Sequence, residues 1–202
     1  MATFLALELA SSCCTVAVSH AGQLTQHDFS DERGRGVICA VEKILAELSI
    51  EPTSLDAIYV GIGPGSYTGL RIACSAATML AYSLNIDCHG VSSFEALAWR
   101  SAQQQPFSIL LDAYRQQYYH AEYIKEKQTL ICLQAPQIIE QDSWNHEKQA
   151  HHPDTTAKDI LNFVLEFICK DQQYASKHLF QAEPLYLRPP AFRQEKKARL
   201  NK

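Results

Sequence analysis

No glycine lies beyond Gly90; all eight fall in the first 90 of 202 residues. A chain that clasps a nucleotide between two halves uses glycine turns on both sides to bring backbone close to phosphate, and the second half here has none. The seven cysteines, at positions 13, 14, 39, 74, 88, 132 and 169, include no C-x-x-C pair. An odd, scattered set suits reduced and mostly buried thiols and speaks against structural zinc. None of the eight histidines stands in H-E-x-x-H or H-x-x-x-H, the spacings that put two imidazoles on one helix face. The longest run free of Asp, Glu, Lys, Arg and His, Ile72 to Ile86, has 15 residues and is broken by Ser75, Thr78, Ser83 and Asn85, too short and too polar to span a bilayer. The opening MATFLALELASS lacks a basic segment and carries Glu8 inside its apolar run, so it reads as a first strand and not as an export signal. These absences point to a soluble, cytoplasmic protein without metal, cofactor or membrane segment.

What is present is enough apolar side chain, 47 % of the chain, for a core in one large or two small domains. Residues 3–9, 14–20 and 23–29 are short apolar or β-branched runs separated by ASSC and AGQ, the pattern of consecutive antiparallel strands. From Gly36 the period lengthens: Val37, Val41, Ile44 and Leu48 recur at helical spacing, with Glu42, Lys43 and Glu47 opposite and Pro52 soon after. An apolar run AIYVGI, a glycine loop, a helix from about Thr68 to Leu84, a short strand near Cys88 to Val91 and a helix capped by Ser92 or Ser93 follow. The order β-β-β-α-β-α-β-α fits a ribonuclease-H-like α/β domain, in which two parallel strands extend three antiparallel ones.

Beyond the polar stretch SAQQQP the strands resume with FSILLDA, QYYHAEYI and TLICLQ, then a helix capped by Asp154 or Thr155 and running to about Cys169. This half looks like a worn copy of the first, and QDSWNHEKQAHHPD between its strands and helix is expected to be a polar loop. The expected division is residues 1–101, residues 107–188 and a basic tail, 189–202. Net charge is −4, yet from Tyr186 to Lys202 six bases (Arg188, Arg193, Lys196, Lys197, Arg199 and Lys202) face only Glu195, leaving −9 for the rest. Either this is a solvated terminus or it meets an RNA backbone or an acidic partner.

Four glycines, Gly61, Gly63, Gly65 and Gly69, stand within nine residues of YVGIGPGSYTGLRI. A phosphate-binding P-loop puts lysine after its last glycine, where this chain has Leu70, and a dinucleotide fingerprint needs glycine where it has Ser66. A nucleophile elbow needs glycine two residues either side of its serine; around Ser66 those positions are Pro64 and Thr68. A two-metal nuclease needs several converging carboxylates, and Glu8 has no companion between Ala57 and Gly63. No catalytic residue is therefore assigned. Gly61, Gly63, Gly65, Ser66, Thr68 and Arg71 are expected to form a strand-to-helix joint, with Ser66 or Thr68 as the cap.

In the helix that follows, Gly69, Ala73, Ala77 and Ala81 make one i+4 row of small residues, a shallow ridge that another helix can approach closely. Leu70, Ile72, Ala76, Met79 and Leu80 cover the other faces. Either this is the core helix of its own domain, or it is shared between its own sheet and a partner's helix. On the second alternative a charge at Ala77 breaks association and leaves the monomer folded.

The segments GIGPGSYTGLRI, GVSSFEALA, LLDAYRQQYYHAEY and AEPLYLR resemble, in order and approximate spacing, those of the TsaB (YeaZ-like) family. The resemblance covers most of residues 3–134 and 182–188. It implies an actin-like (ASKHA) fold of two ribonuclease-H-like halves, the second reduced, that has lost its own active site. It implies a non-catalytic subunit that activates a TsaD-like transferase in making threonylcarbamoyladenosine at position 37 of tRNA. A TsaE-like ATPase joins through the complex, and tRNA is reached indirectly. It further implies a homodimer or a heterodimer built through the first two helices, which assigns Val37, Val41, Ile44, Gly69, Ala73, Ala77 and Ala81 to the partner contact. The different-class alternative is a standalone actin-like enzyme, metalloprotease-like or an ATP-dependent kinase. The chain departs from the family pattern at Glu8-Leu9, at Arg33-Gly34, at Asp112-Ala113-Tyr114 and in a shortened stretch from Gln141 to Thr155, where a strand is expected to be missing.

Overall fold

A computed structural model describes residues 2–30, 36–101, 105–127, 129–144, 150–151, 154–166 and 179–187. Strands β1 (Phe4–Glu8), β2 (Cys14–His20) and β3 (Gln23–Phe29) pair antiparallel, while β4 (Ala57–Gly61) and β5 (Asp87–Val91) add in parallel, giving the order β3-β2-β1-β4-β5. Helices α1 (Gly36–Glu47), α2 (Tyr67–Leu84) and α3 (Ser93–Ser101) complete the ribonuclease-H-like order expected from the sequence. A second sheet, β8-β7-β6-β9, is built from β6 (Phe107–Asp112), β7 (Gln117–Glu126), β8 (Thr129–Glu140) and β9 (Ala150–His151), and α4 (Ala157–Glu166) follows. The departure at Arg33-Gly34, the helix beyond Glu166 and the tail 189–202 lie outside the described residues.

The sequence of β1, FLALE, explains the layering. Leu5 and Leu7 point to one face, with Val16, Val18, Ile58 and Val60, and form a core with Val37, Val41 and Ile44 of α1 and Ala73 and Ala77 of α2. The smaller Ala6 and Ala17 point the other way, where α4 packs on β1 and β2, and α3 lies between α4 and the second sheet. Residues of both sheets, such as Tyr59 from β4 and Phe107 and Tyr123 from β6 and β7, share this inner core. With helices on both faces, β1 and β4 bury nearly every side chain, which is why they read as continuous apolar runs rather than alternating ones.

Four expectations need correction. The α4 cap is Thr156, not Asp154 or Thr155. Its Oγ accepts the Asp159 N–H at 3.3 Å, while Asp159 Oδ2 accepts from the Thr156 N–H at 2.9 Å and hydroxyl at 2.8 Å. That reciprocal arrangement needs a carboxylate three residues on, which only Thr156 has among the three candidates. Strand β8 runs on through APQIIE because, past an irregularity opposite His120 to Tyr123, its pairing with β7 resumes down to Gln117↔Glu140. The polar loop contains a strand after all: β9 pairs parallel with β6 at Ser108↔Ala150 and Ile109↔His151. The thiols are less hidden than expected, since Cys13, Cys39 and Cys132 are exposed and Cys74 alone of the described cysteines is buried.

Among the described residues one ion pair joins α3 to α4. Asp159 of α4 is buried and receives Arg100 Nη1 of α3 at 2.6 Å, and Arg100 Nη2 also donates to the Asp154 carbonyl at 3.3 Å. Removing the guanidinium leaves the carboxylate buried with only its Thr156 donors. Arg100→Met should therefore cost roughly 2–3 kcal/mol, read as a lower urea midpoint with unchanged slope, and adding Asp159→Asn should restore part of the loss.

Candidate functional site

The glycine loop is a joint in which the Gly63, Ser66 and Gly69 amides are engaged within the fold. Ser66 caps α2, its Oγ accepting the Gly69 N–H at 3.2 Å, whereas Thr68 is exposed and Leu70 N–H bonds the Ser66 carbonyl. The Ser66 N–H donates to the Ala10 carbonyl at 2.7 Å and the Gly63 N–H to Ser93 Oγ at 3.2 Å. A phosphate cradle works by pointing free N–H groups at a ligand, and here Gly63, Ser66 and Gly69 spend theirs inside the fold. Gly69 is required because a methyl group there would collide with the Leu9 carbonyl, so the start of α2 presses directly on the turn after β1.

Glu8, alone in the sequence, is buried against Gly61, where any side chain would strike its carboxyl group. Its Oε1 accepts the Ala10 N–H at 2.6 Å and its Oε2 accepts the Ser93 hydroxyl at 2.8 Å. Sequence reasoning missed Ser93 as its partner, because 85 residues separate them and no local pattern joins them. Desolvation pushes the Glu8 carboxyl up to about 7, with the charge of Asp159 adding to it and the two hydrogen bonds opposing. The folded chain thus binds this proton more tightly than the unfolded chain. Stability is full below the unfolded value near 4.5 and falls by roughly 3 kcal/mol as pH rises through 7. Glu8→Gln removes the titration, so thermal melts should show the variant gaining on the parent between pH 5 and pH 8.

A cleft of about 280 Å³ lies between the sheets, beside the joint, lined by Ser11, Ser12, Gly65, Asp112, Asp154 and Thr155 among others. Ser12 Oγ donates to Asp154 Oδ2 at 2.9 Å and Ser11 Oγ to the Thr155 carbonyl at 3.1 Å, closing the turn after β1 onto the approach to α4. Among the described residues its charged side chains are carboxylates, Asp112 and Asp154, which repel phosphate, and no lysine or arginine lines it. Among the described residues no three His, Cys, Asp or Glu side chains cluster as metal ligands.

The helix face tells a different story from the one expected. Ala73, Ala77 and Ala81 are buried in the chain's own core with Val37, Val41 and Ile44, and Gly69 faces the Leu9 carbonyl. The small-residue row therefore lets α2 sit closely on β1, β4 and β5, and it is not an outer surface. The outward face of α2 is the adjacent stripe. Ile72, Ala76, Met79 and Leu80 line a shallow groove with Ile38 of α1, bounded by Arg71, Ser75 and Ser83. Met79 is 72 % exposed, Ile38 40 %, and Tyr82 nearby 88 %. These are exposed large apolar groups gathered on one face, whereas scattered ones would need no explanation.

The segment Leu179–Leu187, which holds most of the AEPLYLR motif, closes the other side of the joint. Gly90 and Phe180 exchange backbone bonds at 2.7 and 2.9 Å, and the Leu185 N–H donates to the Ile62 carbonyl at 2.8 Å. Tyr186 then stacks on Tyr67 of α2 with centroids 4.9 Å apart, and Arg71 donates to the Tyr67 hydroxyl at 3.1 Å. The sequence gives no sign of this strap, since its partners are backbone atoms far along the chain.

The family model for TsaD, tRNA N6-adenosine threonylcarbamoyltransferase, matches residues 34–175, well over half of the chain. The tRNA threonylcarbamoyladenosine biosynthesis protein TsaB of Haemophilus influenzae is 24 % identical over 92 % of this chain and 93 % of its own. The protein of the same name from Bacillus subtilis is 41 % identical over 42 % of this chain and 37 % of its own. The solved structure of YeaZ from Pseudomonas aeruginosa superposes with a TM-score of 0.74 at 22 % identity, covering 93 % of this chain and all of that one, which shows a shared fold. The chain belongs to the TsaD family and, within it, to the TsaB (YeaZ-like) group.

Proposed function

We propose that the chain is a subunit without chemistry of its own in the biosynthesis of threonylcarbamoyladenosine in tRNA, and that it acts by docking on a TsaD-like transferase through the α1–α2 face. The observation that carries the reading is the exposed apolar groove of Ile38, Ile72, Ala76, Met79 and Leu80. A ridge of apolar side chains from a partner's helix fills such a groove, and each Å² of apolar surface removed from water contributes roughly 25 cal/mol. Relatives that span nearly the whole chain are named for that biosynthesis, which supports the assignment of the pathway step.

The same groove serves a homodimer when the transferase is absent, so the two associations compete. A TsaE-like ATPase reaches the chain through the complex, in the cytoplasm. Against a standalone actin-like kinase or metalloprotease stand the engaged loop amides and the carboxylate lining of the cleft, which disfavour a bound triphosphate. Co-expression with a TsaD-like transferase tests the reading: the parent should co-purify in a one-to-one complex, and failure to do so contradicts it.

A further inference from the structure

We propose that Arg71 sets which partner the groove accepts: its guanidinium, held at the rim by the Tyr67–Tyr186 stack, donates to a carboxylate on the transferase helix that docks there. The inference rests on the docking reading and adds the chemistry that the docked helix must bring.

Three observations meet at Arg71. First, it is the one charged side chain among the described residues that line the groove, whose other walls are apolar or serine. Second, it has no acid of its own. Among the described residues no carboxylate lies within ion-pair distance of it, and the groups whose charge reaches it are the Tyr67 and Tyr186 hydroxyls. The first turn of α2 holds no acid either, so the partial positive charge at that end of the helix adds to the guanidinium. Water solvates this exposed charge in the free chain. A helix laid in the groove strips that water, and an acceptor on the helix must then meet the charge.

Third, the guanidinium is set in place before a partner arrives. Its Nη1 donates to the Tyr67 hydroxyl at 3.1 Å, and its central carbon lies 5.7 Å from the Tyr67 ring centroid. Tyr67 stacks on Tyr186 at 4.9 Å, and the strap fixes Tyr186 through the neighbouring Leu185 N–H, which bonds the Ile62 carbonyl. A long side chain ordinarily loses rotamer freedom on binding, and here much of that loss is taken on folding. The planar fork of an arginine so held matches a carboxylate with paired N–H donors. A ligand that also covers the apolar wall beside it is an amphipathic helix carrying that acid. A second copy offers no such group: two-fold pairing sets the groove against itself, and its described lining contains no acid.

The test measures the affinity of the full chain for a TsaD-like transferase from the same source by titration calorimetry, at about 50 and about 500 mM salt. Parent binding should weaken by about three-fold or more as salt rises. Arg71→Gln should bind about ten-fold or more weakly at low salt and lose most of the salt dependence, and Arg71→Glu should bind more weakly still. Tyr67→Phe keeps the stack and removes the hydroxyl that orients Arg71. It should weaken binding by about three-fold in the parent and leave it unchanged in Arg71→Gln, the coupling expected of a positioning residue. Self-association of the isolated chain should not weaken in Arg71→Gln. If Arg71→Gln binds the transferase as the parent does while Met79→Glu does not, docking stands and this proposal is overturned; if the parent does not bind, both fall. Equal weakening of self-association assigns the carboxylate to a second copy and also overturns it.

Discussion

Ala77→Glu is expected to yield no stably folded protein. Ala77 is fully buried between α2 and the sheet, among Leu7, Val60 and Ile44 in one core. A carboxylate there has neither water nor a partner, and the side chain has no volume to occupy. The cost is roughly 4 kcal/mol or more, a large part of the 5–15 kcal/mol by which domains of this kind are stable. The measurement is the far-ultraviolet dichroism melt of the purified variant, or its absence from the soluble fraction. A well-folded Ala77→Glu monomer would contradict the inward orientation of the small-residue row. The sequence expectation of a folded but unassociated variant at this position is thus replaced by one of global unfolding.

Met79→Glu is expected to do what Ala77→Glu was first thought to do. Two positions along the same helix turn the side chain outward, and Met79 is 72 % exposed. The substitution should shift stability by no more than about 0.5 kcal/mol, because exposed positions away from caps and ion pairs tolerate change. In the groove, however, a partner's apolar ridge would have to bury the new carboxylate unpaired. Truncating a central contact costs about 2 kcal/mol or more, and a buried charge costs at least as much, so association should weaken by about 30-fold or more. The contrast between the two variants separates the fold of α2 from its use.

The strands of the first sheet, with three antiparallel and two parallel, and the first three helices were legible because hydrophobic period and turn residues are local signals, whereas β9 inside a polar stretch was not. The joint was legible in outline: the missing lysine and the misplaced glycines excluded a phosphate loop, and Ser66 was one of two caps named. What stayed hidden depends on distant pairs. Which side of α2 faces inward is decided by Leu9, Leu7 and Val60, and an all-round apolar helix carries little periodic signal of its own. The ties of Glu8 to Ser93, of Gly90 to Phe180 and of Tyr67 to Tyr186 join residues far apart in the chain, and no spacing rule reaches them. The Thr156 cap, by contrast, was present as T-x-x-D and could have been read from the sequence.

The most direct test of the docking reading is sedimentation velocity of this chain mixed in equal amounts with a TsaD-like transferase from the same source. The parent should sediment with the transferase as a heterodimer, while Met79→Glu, melting as the parent does, should sediment apart from it. Co-sedimentation of Met79→Glu with undiminished affinity, or no association of the parent at micromolar concentration, would contradict it.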